Sequence, residues 1–379
     1  MKRRDFLAAA PALVSLRASA ADSPGVSRTE ILLGQTADFS ASRSVITKAY
    51  AGGAQLHLER VNKQGGIFGR KLRLAQLDDA YDVSKALENA RRLVEGDQVF
   101  ALMHSVGTGI TERLIPYVEA QSVPHIHPVT GADSVRSPLL PSRQTFFLRA
   151  SYRREVEKIV LQLKTLGITS VALVHEDEPF GQGIRALVQD AAQAHGLKLA
   201  TTGVLPFNKP AEVAAAVAAV ASAKPTAVIM GSAGPSVENF ITAYYKQGGR
   251  AQYYCLSVSN VERLHKALGR LSEGIVVSQV MPAVQTSNLP VVRDYRRAVG
   301  AVDANPGSFG LEGFVSALII TDALMAAGAT PTRERFIAAL ERPAVTQVGG
   351  FPLNYSGDAR SGSPFVELAM IGSNGRLLQ

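Results

Sequence analysis

Val61-Asn62-Lys63-Gln64-Gly65-Gly66-Ile67-Phe68-Gly69-Arg70-Lys71-Leu72 ends one amphipathic helix, turns on a glycine pair and starts a strand. Gly65 and Gly66 stop the helix because glycine takes the left-handed backbone that closes a helix C-terminus at little steric cost. Lys71 then opens an apolar strand to Leu77 that runs into Asp78 and Asp79. Outward from this corner, short apolar strands alternate with helices. Strands are expected at Ile31 to Gly34, Lys71 to Leu77, Val99 to Met103 and Val123 to His127, with helices at Ser44 to Lys63, Ser84 to Glu95 and Thr111 to Ala120. Repeated β-α units with apolar strands predict a parallel sheet covered on both faces.

A break rich in proline and serine, Ser137-Pro138-Leu139-Leu140-Pro141-Ser142, interrupts the pattern. It resumes with an extended Phe146 to Arg149, then strands at Ser170 to His175, Leu197 to Leu205, Thr226 to Met230 and Gln252 to Ser257. Helices are expected between them at Arg153 to Leu166, Gly183 to His195, Ala211 to Ala223 and Ser236 to Gln247. This is a second sheet of similar plan. After the strand Ile275 to Val280, helices near Leu289 to Val302, Ser308 to Ala327 and Arg333 to Glu341 and a glycine-rich tail return to complete the two halves. Two such sheets facing each other place their strand C-termini at one cleft, where ligands bind in open α/β sheets.

Hydrophobic residues make up 46% of the 379, ample for two cores. Cys255 is the only cysteine, so no intrachain disulfide forms, and its apolar neighbours mark it as a small buried hydrophobe. The chain starts Met1-Lys2-Arg3-Arg4-Asp5-Phe6-Leu7, continues apolar to Leu16 and ends this stretch in Ala18-Ser19-Ala20. A charged start, a short apolar run and a small-x-small end make an export signal over residues 1–20, cleaved after Ala20. The paired arginines resemble a twin-arginine signal; an ordinary secretory signal that carries Arg-Arg is the alternative. The apolar run is too short to span a bilayer. Ser316 to Ala329 is interrupted by Thr321 and Asp322 and reads as a core helix.

The net charge is +8, of which Lys2, Arg3, Arg4 and Arg17 against Asp5 leave about +5 outside the signal. No basic run with interleaved aromatics and no zinc-finger spacing points to nucleic acid. The charge gives solubility and favours an anionic ligand. No nucleophile elbow, Walker loop, dinucleotide loop or zinc motif is present, which argues against an enzyme.

Six landmarks, taken together and in order, resemble the type I periplasmic solute-binding proteins of ABC importers, in the branch of branched-chain amino acid (Leu/Ile/Val) receptors. They are Glu30 to Gly34, the Asn62 to Leu72 corner, Asp78-Asp79-Ala80-Tyr81, Gly107-Thr108 with Val123-Pro124, Thr130-Gly131-Ala132, and Glu178-Pro179-Phe180-Gly181-Gln182-Gly183. The resemblance implies two Rossmann-like parallel-sheet lobes joined by a three-strand hinge, near Arg149, Val280 and Gln347. Lobe one would take 28–146 plus 281–345, and lobe two 147–280 plus 346–379. It also implies a periplasmic receptor without cofactor or bound metal, a small-molecule ligand such as an amino acid or another small carboxylate, and ABC permease subunits as partners. A sensing subunit of the same fold, or a secreted hydrolase, are the alternatives.

Gly107-Thr108-Gly109 follows a strand and precedes a helix, so it offers open backbone N–H groups, a hydroxyl and the helix dipole to a carboxylate. A plain helix cap is the other reading. The family resemblance gives the carboxylate to Gly107, Thr108, Val129, Thr130 and Gly131, and gives Phe180 a place over the ligand; a hydrophobic staple on the following helix is Phe180's other reading. Ser42, Tyr81 and Ser257 complete the expected ligand set. The sequence departs from the family after Ser257, where Val258-Ser259-Asn260 brings no acid to pair a ligand ammonium before Glu262. Asp38 to Arg43 lacks the usual glycine-rich polar turn. The ligand is therefore expected to be a small carboxylate that need not be an α-amino acid. His104, His125 and His127 are weighed as a metal site, as ligand contacts and as structural residues, and His175-Glu176-Asp177-Glu178 is read as a solvated loop.

Overall fold

The computed structural model describes residues 23–300, 307–342, 347–355 and 360–378. The expected export signal lies outside them.

The first sheet contains β1 (Glu30–Ala37), β2 (Lys71–Asp78), β3 (Ala101–Met103), β4 (His125–Ile126) and β5 (Thr145–Phe146), all parallel, in the order β2-β1-β3-β4-β5. Its helices are α1 (Ser44–Lys63), α2 (Val83–Arg91) and α3 (Thr108–Ala120). The opening corner closes as the sequence requires. Gly65 and Gly66 stand at positive φ, and a Cβ on Gly66 would lie 2.0 Å from the Arg70 carbonyl oxygen. Asn62 then locks helix to strand, donating from Nδ2 to the Leu72 carbonyl at 2.9 Å and accepting from the Leu72 N–H at 2.7 Å.

The second sheet is built from α4 (Tyr152–Thr165), β6 (Ser170–Glu176), α5 (Pro179–His195), β7 (Lys198–Leu205), α6 (Ala214–Ala223), β8 (Ala227–Gly231), α7 (Pro235–Lys246), β9 (Gln252–Cys255), α8 (Val261–Leu268) and β10 (Val276–Gln279). Along this sheet the strands run β7-β6-β8-β9-β10, the same plan as the first, and are parallel. Successive residues of each central strand feed opposite faces, as strand geometry demands. Ile31 and Leu33 of β1 join one core cluster and Leu32 another; Val171 and Leu173 of β6 join one and Ala172 and Val174 the other.

The chain then returns to the first lobe with α9 (Pro290–Val299), α10 (Ser308–Ala327), α11 (Arg333–Leu340), β11 (Gln347–Val348) and β12 (Phe351–Pro352), whose buried side chains share a cluster with Ile31 and Phe100. Among the described residues α10 is the one helix long and apolar enough to cross a membrane, and 78% of that stretch is buried inside the protein, as a core helix is. The tail, expected with the second lobe, is divided. Val348, Phe351 and Tyr355 pack in the first lobe, while β13 (Glu367–Ile371) pairs antiparallel with β10 and β14 (Leu377–Leu378) antiparallel with β13, extending the second sheet. The third crossing between sheets therefore follows Tyr355 rather than lying around Gln347. It is tied to the first: the Phe147 N–H donates to the Arg360 carbonyl at 3.0 Å and the Ser363 N–H to the Leu148 carbonyl at 2.9 Å. Arg149, in the first crossing, pairs bidentately with Glu312 of α10 at 3.1 and 3.0 Å in full burial.

Candidate functional site

The C-terminal ends of β1 to β4 face those of β6 and β8 across a cleft, and the two lobes touch there. On the first lobe, α3 begins at Thr108 with Gly107 at φ 112° as its cap and no side chain covering its first N–H groups. Only glycine fits at 107, because a Cβ would meet the Tyr81 ring at 2.6 Å. Val106 and Val129 pair as an isolated bridge, which brings the Val129-Thr130-Gly131 loop beside the helix start. The Thr108 and Thr130 hydroxyls are 2.9 Å apart and both buried. A Cβ on Gly131 would strike the Tyr152 ring at 2.7 Å, and the Tyr152 N–H donates to the Gly131 carbonyl at 2.6 Å, so this loop is docked on the start of α4.

Tyr81 is held toward the cleft by an unusual backbone. Ala80 and Tyr81 both have positive φ, strained for residues with side chains. Asp79 fixes the turn by accepting from the Tyr81 N–H at 2.9 Å and from the Thr36 hydroxyl at 2.9 Å. Burial pushes the Asp79 pKa up to about 7, with those two donors opposing the rise and Asp38 and Asp78 adding to it. Asp38 in turn accepts the N–H groups of Ser40, Ala41 and Arg43 at 2.5 to 3.0 Å. The first loop is thus organised by a carboxylate instead of by glycines.

Arg43 is the residue sequence reasoning missed. It crosses from the first lobe to the second, donating from Nη1 to the Ala233 carbonyl at 2.6 Å and from Nη2 to Glu176 at 2.5 Å, with its guanidinium 5.1 Å from the Tyr81 ring centre. Burial works against its charge, but Glu176, Tyr81 and Glu178 outweigh it and hold the guanidinium protonated. Glu176 receives a second donor, the Ser236 hydroxyl, at 2.8 Å. Glu178 caps α5 by accepting the Gly181 N–H at 3.2 Å; burial pushes its pKa up to about 7, with Glu176 adding to the rise and the Phe180 and Gly181 N–H groups and Arg43 opposing it. The segment expected as a solvated loop is therefore mostly interior. Only Asp177 of its four residues is exposed, because β6 continues buried to Glu176 and α5 starts at once.

Between the lobes lies a narrow cavity with about 20 Å³ of free volume, far below the range of ligand sites, so a ligand enters only when the lobes part. Five expected residues line it: Tyr81, Gly107, Thr108, Val129 and Phe180. Phe180 does so while packing in the second lobe's core, its ring 5.2 Å from that of Tyr152. Thr130 and Gly131 flank it as described. Ser42 lines an adjoining chamber that shares Ile46 and Val258 with the first. Ser257 is not brought to the cleft; its N–H and hydroxyl both donate to Glu155, at 2.9 and 3.0 Å, in a buried network with Ser278. Besides Arg43, the wall contains Ile46, Val106, Tyr152, Ala233 and Val258, which no motif singled out. Apolar residues just past strand ends were the available signal.

The three histidines are buried in the first lobe. His104 Nε2 and His127 Nδ1 both reach the Ser316 hydroxyl, at 2.5 and 2.6 Å; His127 Nε2 meets the Tyr355 hydroxyl and His125 Nε2 that of Ser105. Burial depresses the pKa of each, so they are neutral links between sheet, α10 and tail. Among the described residues no group of three His, Cys, Asp or Glu side chains is placed to hold a metal. Cys255 is fully buried and its thiol is pushed up to about 12 by burial.

Residues 30–371 match a family model described as periplasmic binding protein. An amino acid binding protein of Pseudomonas aeruginosa is 27% identical over 180 residues, 46% of either chain, and several further relatives are named Leu/Ile/Val-binding protein. The chain thus spans about half the length of the first curated relatives it matches. A substrate-binding periplasmic protein from Ralstonia solanacearum is alike over 92% of this chain and 100% of its own, at 30% identity and a TM-score of 0.85. A solute-binding protein of an R. palustris ABC transporter, solved with benzoate, shares the fold at 17% identity and a TM-score of 0.81 over 92% of this chain and 95% of its own.

Proposed function

The chain belongs to the periplasmic binding protein family, and from that premise we propose that it is the solute receptor of an ABC importer, capturing a small carboxylate outside the cytoplasm. The observation that carries this reading is the start of α3. Its uncapped N–H groups and positive dipole end meet the Thr108 and Thr130 hydroxyls at a cavity shared by two lobes. Such a terminus stabilises an anion, the more so in partial burial. The rest of the wall is chiefly apolar, which suits a ligand with an apolar body. Benzoate in the R. palustris protein is a ligand of that description.

The mechanism is capture by closure. The carboxylate docks on α3 and the 129–131 loop of the first lobe; Phe180, Ala233 and Val258 of the second lobe then cover it. The crossings at 147–151, 280–289 and 360–366 act as the hinge. Ligand contacts made only in the closed form shift the population toward it, and permease subunits recognise that form. No covalent step is required.

Thermal unfolding with a panel of amino acids, aromatic acids, dicarboxylates and amides tests this. A true ligand at 100 times its dissociation constant adds about 2.7 kcal/mol of stability. Carboxylates should raise the melting temperature and their amides should not. A panel in which no carboxylate acts would remove the reading.

A further inference from the structure

Among the described residues, the acids nearest the cleft already hold donors, and Glu238 in the adjoining chamber pairs with Arg263. Asp38 holds three backbone N–H groups, Asp79 holds Tyr81 and Thr36, and Asp78 holds the Phe39 and Ala80 N–H groups and the Ser40 hydroxyl. Glu178 caps α5 and Glu155 is enclosed by Ser257 and Ser278. That leaves Glu176, at the end of β6 beside the cavity, and its two oxygens are taken by Ser236 and by Arg43. Arg43 itself lines the cavity. A cation from the protein's own first lobe therefore sits on a second-lobe carboxylate beside the cavity.

We propose that Arg43 is a specificity-determining residue: it acts as a built-in cation on Glu176, so that the cleft takes carboxylic acids whose remaining body is uncharged and apolar and disfavours α-amino acids. This rests on the reading of the site as a carboxylate receptor. An α-amino acid would bring its ammonium into a mostly apolar chamber whose lining contains no carboxylate among the described residues. To pair it, Glu176 would have to release Arg43, leaving a guanidinium buried among Tyr81 and Ile46 without its counter-ion, and an unpaired buried charge is strongly unfavourable. An acid with an aliphatic or aromatic body leaves the pair intact, and closure completes it across the lobes.

Calorimetric titration of the full chain with matched pairs, 4-methylpentanoate against leucine and 3-phenylpropanoate against phenylalanine, reads this directly. In the parent the des-amino acids should bind at least about tenfold more tightly. Arg43→Met frees Glu176, and the ratio should shift toward the amino acids by about tenfold or more. Glu176→Gln frees Arg43 and should instead favour a second carboxylate, raising affinity for glutarate relative to 4-methylpentanoate; this arm stands even where Arg43→Met fails to fold. Equal binding of leucine and 4-methylpentanoate by the parent, or ratios unmoved in both variants, would overturn the role of Arg43 while leaving the carboxylate site standing. Binding of none of the acids would instead remove the carboxylate reading, and this inference with it.

Discussion

At Gly107 the backbone turns through φ 112° and a Cβ would lie 2.6 Å from the Tyr81 ring. Gly107→Ala should thus displace Tyr81 and the start of α3 together, lowering stability by about 1–3 kcal/mol and abolishing ligand binding. Denaturant melts and calorimetry check both; an unchanged affinity would mean α3 does not hold the ligand. Asp79 gives a pH signature. Burial raises its folded-state pKa from 3.8 to about 7, so folding favours the protonated form. That contribution is complete below about pH 4 and is lost as pH rises through the folded value. Asp79→Asn should therefore be the more stable protein at about pH 8, by roughly 1–3 kcal/mol, and the gap should close near pH 4. At this scale the sequence was partly legible. Gly107-Thr108 could be found because glycine before a helix has a physical purpose. Arg43 could not, because its partner Glu176 is 133 residues away and nothing local marks an arginine for burial.

Helices α1 and α10 cross backbone to backbone. A Cβ on Gly53 would lie 1.8 Å from the Gly310 carbonyl oxygen, and one on Gly313 would lie 1.9 Å from that of Tyr50. Gly53→Ala should force the helices apart at a cost of about 3 kcal/mol or more, read as a lower denaturant midpoint with unchanged slope. The same helix anchors the first crossing through Glu312. Glu312→Gln leaves Arg149 buried and unpaired and should cost about 3–5 kcal/mol; a double variant with Arg149→Met should recover much of it. Helices and long strands were legible from their periods, the opening corner above all. The two-residue strand β4 falls inside the expected Val123 to His127, but β5, β11 and β12 are too short to show a period of their own. The division of the tail was hidden too, since an apolar segment says that it is buried but not against which core.

As a whole the molecule repeats one plan, with the order 2-1-3-4-5 in each sheet, and encloses a small chamber where the two sets of strand ends meet. That plan was readable from alternating β and α units, because parallel strands need helical crossovers. The chamber's chemistry was half readable: the anion end follows from local backbone, while the charge-neutralised far side exists only once the lobes close. Calorimetric titration of the tightest-binding acid alongside its own amide, with parent and Thr108→Val protein, bears most directly on capture of a carboxylate at α3. The account predicts that the acid binds at least about tenfold more tightly than the amide and that Thr108→Val weakens the acid by about 1–2 kcal/mol. Equal affinities for acid and amide, unaffected by Thr108→Val, would contradict it.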